Sequence, residues 1–176
     1  MSAGVRSMKL LALIGLLAVI AIVGAGGFFL GGYYKDGGVD PDNAYVARAL
    51  TAVRMASVRK RAPATPPVKI DDASVVEAGA KAFASRGCTT CHGGPGVDWA
   101  KFSEGLRPDA ADLGEVAKSR SAGEIFWVVK NGINMTGMPS FQRIGVTDDE
   151  IWRIAAFVKK FPAVSGEDYK KWTSAP

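Results

Sequence analysis

Both cysteines of this 176-residue chain and its only histidine fall within five residues, Cys88-Thr89-Thr90-Cys91-His92. C-x-x-C-H is the pattern for covalent attachment of a c-type haem, and each part of it has a physical reason. Two thiols at i and i+3, just past a helix end, face one side and reach the two vinyl groups along one edge of a porphyrin. The next residue, His92, then lies beneath the iron as its proximal ligand. A structural zinc site needs about four ligands, which two cysteines and one histidine do not supply. A thioredoxin-like disulfide needs a βαβ pattern nearby, and this sequence has none. The expectation is one covalent haem c, bonded to Cys88 and Cys91.

What such a haem does depends on its sixth ligand. A histidine alone leaves the iron open to small molecules, whereas histidine with methionine closes it and suits electron transfer. The segment KNGINMTGMPSFQ, residues 130–142, offers Met135 and Met138, 43 and 46 residues beyond His92. Gly132 ends a helix, Gly137 frees the backbone, and Pro139 forces Met138 toward an extended conformation. Met138 is thus expected as the distal iron ligand, with Met135 packing near the porphyrin rim as apolar cover.

The helices around the motif are legible from their ends. Asp71 or Asp72 opens ASVVEAGAKAFASRG, with Val75, Val76, Gly79, Ala82 and Phe83 on one face and a stop at Gly87. Ser121 and Glu124 have the spacing of a capping box, and that helix stops at Asn131-Gly132. Thr147 and Glu150 have the same spacing, before IWRIAAFVKKF and Pro162. Asp148 and Asp149 in the first turn and Lys159 and Lys160 in the last match the helix dipole. No period-two run of β-branched residues appears, so the domain is all-α. Residues 93–108 and 132–146 are long Gly- and Pro-rich loops, and so thin a core needs a staple such as a cofactor.

The N-terminal half differs in composition. Leu10 to Leu30 is a run of 21 residues without a charge, which as a helix reaches roughly 30 Å, the hydrocarbon thickness of a bilayer. Val23-Gly24-Ala25 offers a small-residue cleavage site. The run nevertheless continues to Tyr33-Tyr34-Lys35, an aromatic and basic end suited to a membrane interface, which favours an uncleaved anchor; on either reading the rest of the chain is exported. Residues 1–70 hold nine Lys/Arg against three Asp, and residues 71–176 hold thirteen against fourteen acidic residues. The basic balance therefore belongs to the N-terminal arm and gives no ground for nucleic-acid binding. Asp42 or Asn43 caps a helix over residues 44–61, whose Val46, Leu50, Val53 and Val58 lie among five basic residues. It reads as a solvated linker helix, or as one lying on anionic lipid or a partner subunit. APATPP, residues 62–67, is a semi-rigid spacer. The expected domains are residues 1–32 as signal-anchor, 33–70 as basic juxtamembrane helix and linker, and 71–176 as the haem domain.

The order of GxxxF helix, C-x-x-C-H, Gly/Pro loop, middle helix, Met-Pro loop and final aromatic helix resembles class I cytochromes c. GLRPDAADL, EIFWVVKNGINMTGMPSF and DDEIWRIAAFVKKFP are similar to a bacterial branch of membrane-anchored monohaem cytochromes, over most of residues 71–169. The resemblance implies three main helices around one covalent haem, behind an N-terminal transmembrane helix. It implies that Gly79 and Phe83 pack against Trp152 and Phe157, and that a carbonyl between Pro108 and Leu113 accepts the His92 ring proton. Ala110-Ala111 stands where the family tends to prolines, which leaves that acceptor open. The Met-Pro pair is where the family places its distal ligand. The function implied is a single-electron carrier with no catalytic residues, held in the bacterial inner membrane with its haem domain in the periplasm. Its partners would be membrane redox complexes: a quinol-oxidising complex, a dehydrogenase or a terminal oxidase. Two alternatives stand beside it, a fixed cytochrome subunit of a larger complex and a haem enzyme or gas sensor whose methionine dissociates.

Overall fold

The computed structural model describes residues 2–35, 37–39 and 43–174. They fall into two compact units, Met1–Gly37 and Gly38–Pro176.

The first unit is one helix, α1 (Ser2–Leu30). Its stretch Arg6–Leu30 is long and apolar enough to cross a membrane by length and composition, and none of it is buried in the protein. Past Leu30 the chain turns back on the helix end, where the Tyr33 N–H donates to the Phe28 carbonyl at 3.1 Å. Tyr33 stacks on Phe28 and Tyr34 leans on Phe29, with ring centroids 6.4 and 5.3 Å apart. The four rings gather at the end of the apolar stretch, as an interfacial aromatic cluster does.

The second unit holds α2 (Ala44–Arg61), α3 (Ala73–Ser85), α4 (Cys88–His92), α5 (Leu113–Ser119), α6 (Ala122–Asn131), α7 (Asp148–Lys160) and α8 (Gly166–Thr173). No β-strand occurs among the described residues, only an isolated bridge between Gly94 and Val97. Helices α3, α6 and α7 form the frame. Where α3 crosses α7, a Cβ on Gly79 would lie 2.0 Å from the Arg153 carbonyl oxygen; glycine is what lets the two backbones touch. One turn on, Phe83 packs on Phe157 at 5.2 Å between centroids. Both rings are buried, each worth about 2 kcal/mol of transfer free energy. Trp152 belongs to the same buried cluster and stacks on Phe126 of α6, at 4.1 Å and 14°. It thereby joins α7 to the third helix of the frame.

The helix ends follow the sequence with informative departures. Asp72, rather than Asp71, caps α3 by accepting the Ser74 N–H. The α6 box is complete: Glu124 N–H donates to Ser121 Oγ at 3.1 Å and Ser121 N–H to Glu124 Oε2 at 2.8 Å. Thr147 caps α7, but the Glu150 carboxylate leaves the expected box and takes the Arg86 guanidinium at 2.7 and 3.0 Å, because a bidentate charged pair outweighs one neutral N–H. The last-turn lysines of α7 likewise serve neighbours. Lys159 caps α5 through the carbonyls of Ala117 and Arg120, and Lys160 pairs with Asp71.

Two elements depart further. Asn43 caps α2, Asp42 lying outside the described residues. Of the apolar series in α2, Val46, Leu50 and Val53 are exposed while Val58 is buried beside Met55, so the helix packs against α6 rather than standing as a wholly solvated linker. The spacer is part of this contact, since a Cβ on Gly123 would stand 1.9 Å from the Pro63 carbonyl oxygen. Helix α8 was not expected. Its Tyr169 is 2 % exposed and stacks on Phe157 at 5.6 Å.

Candidate functional site

Helix α4 is only five residues long because glycines close both of its ends, Gly87 at φ 77° and Gly93 at φ 66°. It therefore turns off the end of α3 as a separate step and carries Cys88, Cys91 and His92 together. Two contacts hold it. The Ala100 N–H donates to the Thr90 carbonyl at 2.9 Å, and Thr89 Oγ1 and the Tyr169 hydroxyl share a hydrogen bond of 2.8 Å. Tyr169 thus fastens the C-x-x-C-H segment to the core, a role with no sequence signal beyond an aromatic residue in a late helix.

The segment after α6 is doubled back just as firmly. Gly132 has φ 69°, and a Cβ there would lie 2.6 to 2.8 Å from backbone atoms of Met138, Pro139 and Ser140. The Ile133 N–H donates to the Met138 carbonyl, the Phe141 N–H to Val129, and Ser140 Oγ to Lys130. Thr136 Oγ1 accepts the Met138 N–H at 3.1 Å. Met138 is consequently fixed against the end of a framework helix, although it lies in a loop.

Between these two pieces lies a cavity of about 410 Å³, within the usual range for cofactor pockets. Cys88, Cys91, His92 and Met138 all line it, among Phe83, Leu106, Leu113, Ile125, Val129 and Ile154. Met135 does not. Its side chain is 93 % exposed and its backbone takes φ 59°, so the expectation of rim cover fails: the left-handed turn that brings Met138 inward throws Met135 outward.

His92 Nδ1 lies 2.9 Å from the Ala111 carbonyl oxygen. Of the carbonyls between Pro108 and Leu113, this one receives the ring N–H. The bond fixes the tautomer and leaves Nε2 with a lone pair for a ligand. Burial shifts the imidazole pKa below its ordinary value, with the Ala111 bond opposing in part, so the ring is neutral at physiological pH. Burial pushes the Cys88 thiol up to about 12. A redox-active or zinc-binding cysteine needs the opposite shift.

These residues fit a haem. A neutral imidazole and a thioether are iron ligands of low charge, the two cysteines line the same cavity as the imidazole, and the walls are largely hydrocarbon. No group of three or more His, Cys, Asp or Glu among the described residues is placed to hold a bare metal ion. An all-helical frame around such a cavity, with C-x-x-C-H on one side and a Met-Pro loop on the other, defines the class I c-type cytochromes. Residues 74–158 match the family described as cytochrome c oxidase, cbb3-type, subunit III. No curated protein and no solved structure matches the chain. Residues 74–158 thus form a class I c-type cytochrome domain, whose class implies haem c and electron transfer. The match runs from α3 to α7 and leaves α1 and α2 outside.

Proposed function

We propose that this protein carries single electrons on the periplasmic side of a bacterial inner membrane, tethered by α1, through one haem bonded to Cys88 and Cys91. In this reading residues 1–32 are the anchor, residues 33–70 the arm and residues 71–176 the haem domain. The single observation that carries it is the cavity shared by both thiols, the His92 imidazole and the Met138 thioether. When bound, haem c supplies one-electron chemistry between ferric and ferrous iron. The chain's residues do the rest. Cys88 and Cys91 would hold the ring covalently, each by adding its S–H across one vinyl group. His92 offers Nε2 while Nδ1–H stays on Ala111, and Met138 offers its sulfur from the other loop. Phe83, Leu113, Ile125 and Val129 exclude water, which keeps reorganisation on electron transfer small. With His92 and Met138 both engaged by the bound group, no open position would be left for a substrate, which supports a carrier over an enzyme.

A second reading draws on the family description, which names an oxidase subunit. In it the same domain is a fixed electron-entry subunit of a respiratory complex. Gentle solubilisation of native membranes followed by affinity capture of the full-length protein separates the two. A free carrier is recovered without stoichiometric partners, whereas a subunit brings an oxidase or dehydrogenase with it. Carbon monoxide binding to the reduced protein at neutral pH would overturn both in favour of an open-iron enzyme or sensor.

A further inference from the structure

Helix α2 lies outside the family match, yet Arg54, Met55 and Val58 line the same cavity as His92 and Met138. Met55 and Val58 are 9 % and 1 % exposed, so this face of α2 is a wall of the cavity. The charges on that cavity are unevenly matched. Its lining carboxylates are both taken: Asp109 pairs with Arg107, and Glu124 accepts from Ser121 and lies 3.6 Å from Arg59. Of its lining arginines, Arg86 is taken by Glu150. Arg54 and Arg120 remain, both half-buried, and among the described residues neither has a carboxylate within ion-pair distance. Arg54 reaches only Thr51 Oγ1, at 3.5 Å.

Two guanidinium groups drawn partly out of water beside hydrocarbon walls are stabilised by a counter-charge, and a planar guanidinium is matched to a carboxylate. A haem brings two carboxylates, on the edge of the porphyrin away from its vinyl groups. The cations come from α2 and from the end of α5, elements that carry neither cysteine. We propose that Arg54 and Arg120 receive the two haem carboxylates, which makes α2 part of the cofactor site. The arm then does more than connect. It closes a wall of the cavity through Met55 and Val58, and its cation holds the reduced, less positive iron in favour.

This inference rests on the haem reading, and the test keeps the two apart. The full-length protein is purified in detergent with its haem, and the midpoint potential is measured by spectroelectrochemical titration for Arg54→Gln, Arg120→Gln and the double variant. Lys60→Gln, which removes a charge from an exposed position on the same helix, is the control, and Arg54→Lys restores the charge without the fork. The expected result is a negative shift for each Gln variant, larger in the double, with Lys60→Gln unmoved and Arg54→Lys closer to the unsubstituted protein than Arg54→Gln. A haem-loaded Arg54→Gln protein whose potential equals that of Lys60→Gln overturns this inference alone. A preparation without covalent haem overturns it together with the reading beneath it.

Discussion

Gly132 carries two constraints at once, a left-handed φ of 69° and backbone atoms closer than 3 Å to where a Cβ would sit. A strained backbone position of this kind amounts to about 1–3 kcal/mol. Gly132→Ala is therefore expected to lower stability by at least that much, read by denaturant unfolding, and to loosen the Met138 loop. The two methionines give a sharper test. Met138→Ala should abolish the weak sulfur-to-iron charge-transfer band, lower the reduction potential and let carbon monoxide bind. Met135→Ala, at a side chain 93 % exposed, should leave all three nearly unchanged. Swapped outcomes would transfer the ligand role to Met135. At this scale the residues that meet in the cavity were legible because C-x-x-C-H and Met-Pro are each short, recognisable patterns. The acceptor of the His92 proton was not, since any backbone carbonyl between Pro108 and Leu113 is the same group in sequence. Only the path of that loop distinguishes Ala111.

Helices α3 and α7 cross at Gly79, and overpacking such a contact disturbs by about 1–3 kcal/mol, occasionally more. Because the added carbon meets backbone rather than a movable side chain, Gly79→Ala is expected at the upper end, as a lowered denaturation midpoint. Thr147→Ala removes the α7 cap and should lower stability by about 1 kcal/mol. The α3 cap is pH-dependent. The Asp72 carboxylate accepts the Ser74 hydroxyl first and its N–H second, which depresses its pKa. Its contribution is thus present above the ordinary carboxylate pKa and lost as pH falls through the depressed value. Acid titration of thermal stability should show that loss, and Asp72→Asn, which keeps a capping oxygen without titrating, should flatten it. The long helices were legible because caps and an apolar stripe agree over three turns. Helices α4, α5 and α8, of five, seven and eight residues, are too short for a stripe to form. In α2 the apolar series was only partly informative: of Val46, Leu50, Val53 and Val58 only Val58 meets the domain, together with Met55, which the series left out. Tertiary contact, which periodicity does not register, chose the face.

At the scale of the whole molecule, the apolar helix α1 and the cytochrome domain make separate demands. Arg6–Leu30 exposes its leucines and isoleucines along its length, which a membrane accommodates and water does not. The protein should stay with the membrane fraction after an alkaline wash and leave it in detergent. A mature N-terminus at Gly26, with the protein free in the periplasm, would show instead that the run is a cleaved signal. Composition made the candidate span readable, because 21 uncharged residues in a row form one long apolar helix. The relation of arm to domain was hidden, since Gly123 against Pro63 is a contact between two residues with no chemical signature. The central claim is that one haem is bonded to Cys88 and Cys91. It is tested most directly by acid–organic extraction of the purified full-length protein, followed by mass analysis of its proteolytic peptides. The expected result is that the colour stays with the polypeptide and that the peptide spanning Cys88 to His92 carries the mass of one haem. Colour passing into the organic layer, with that peptide recovered at its unmodified mass, would contradict it.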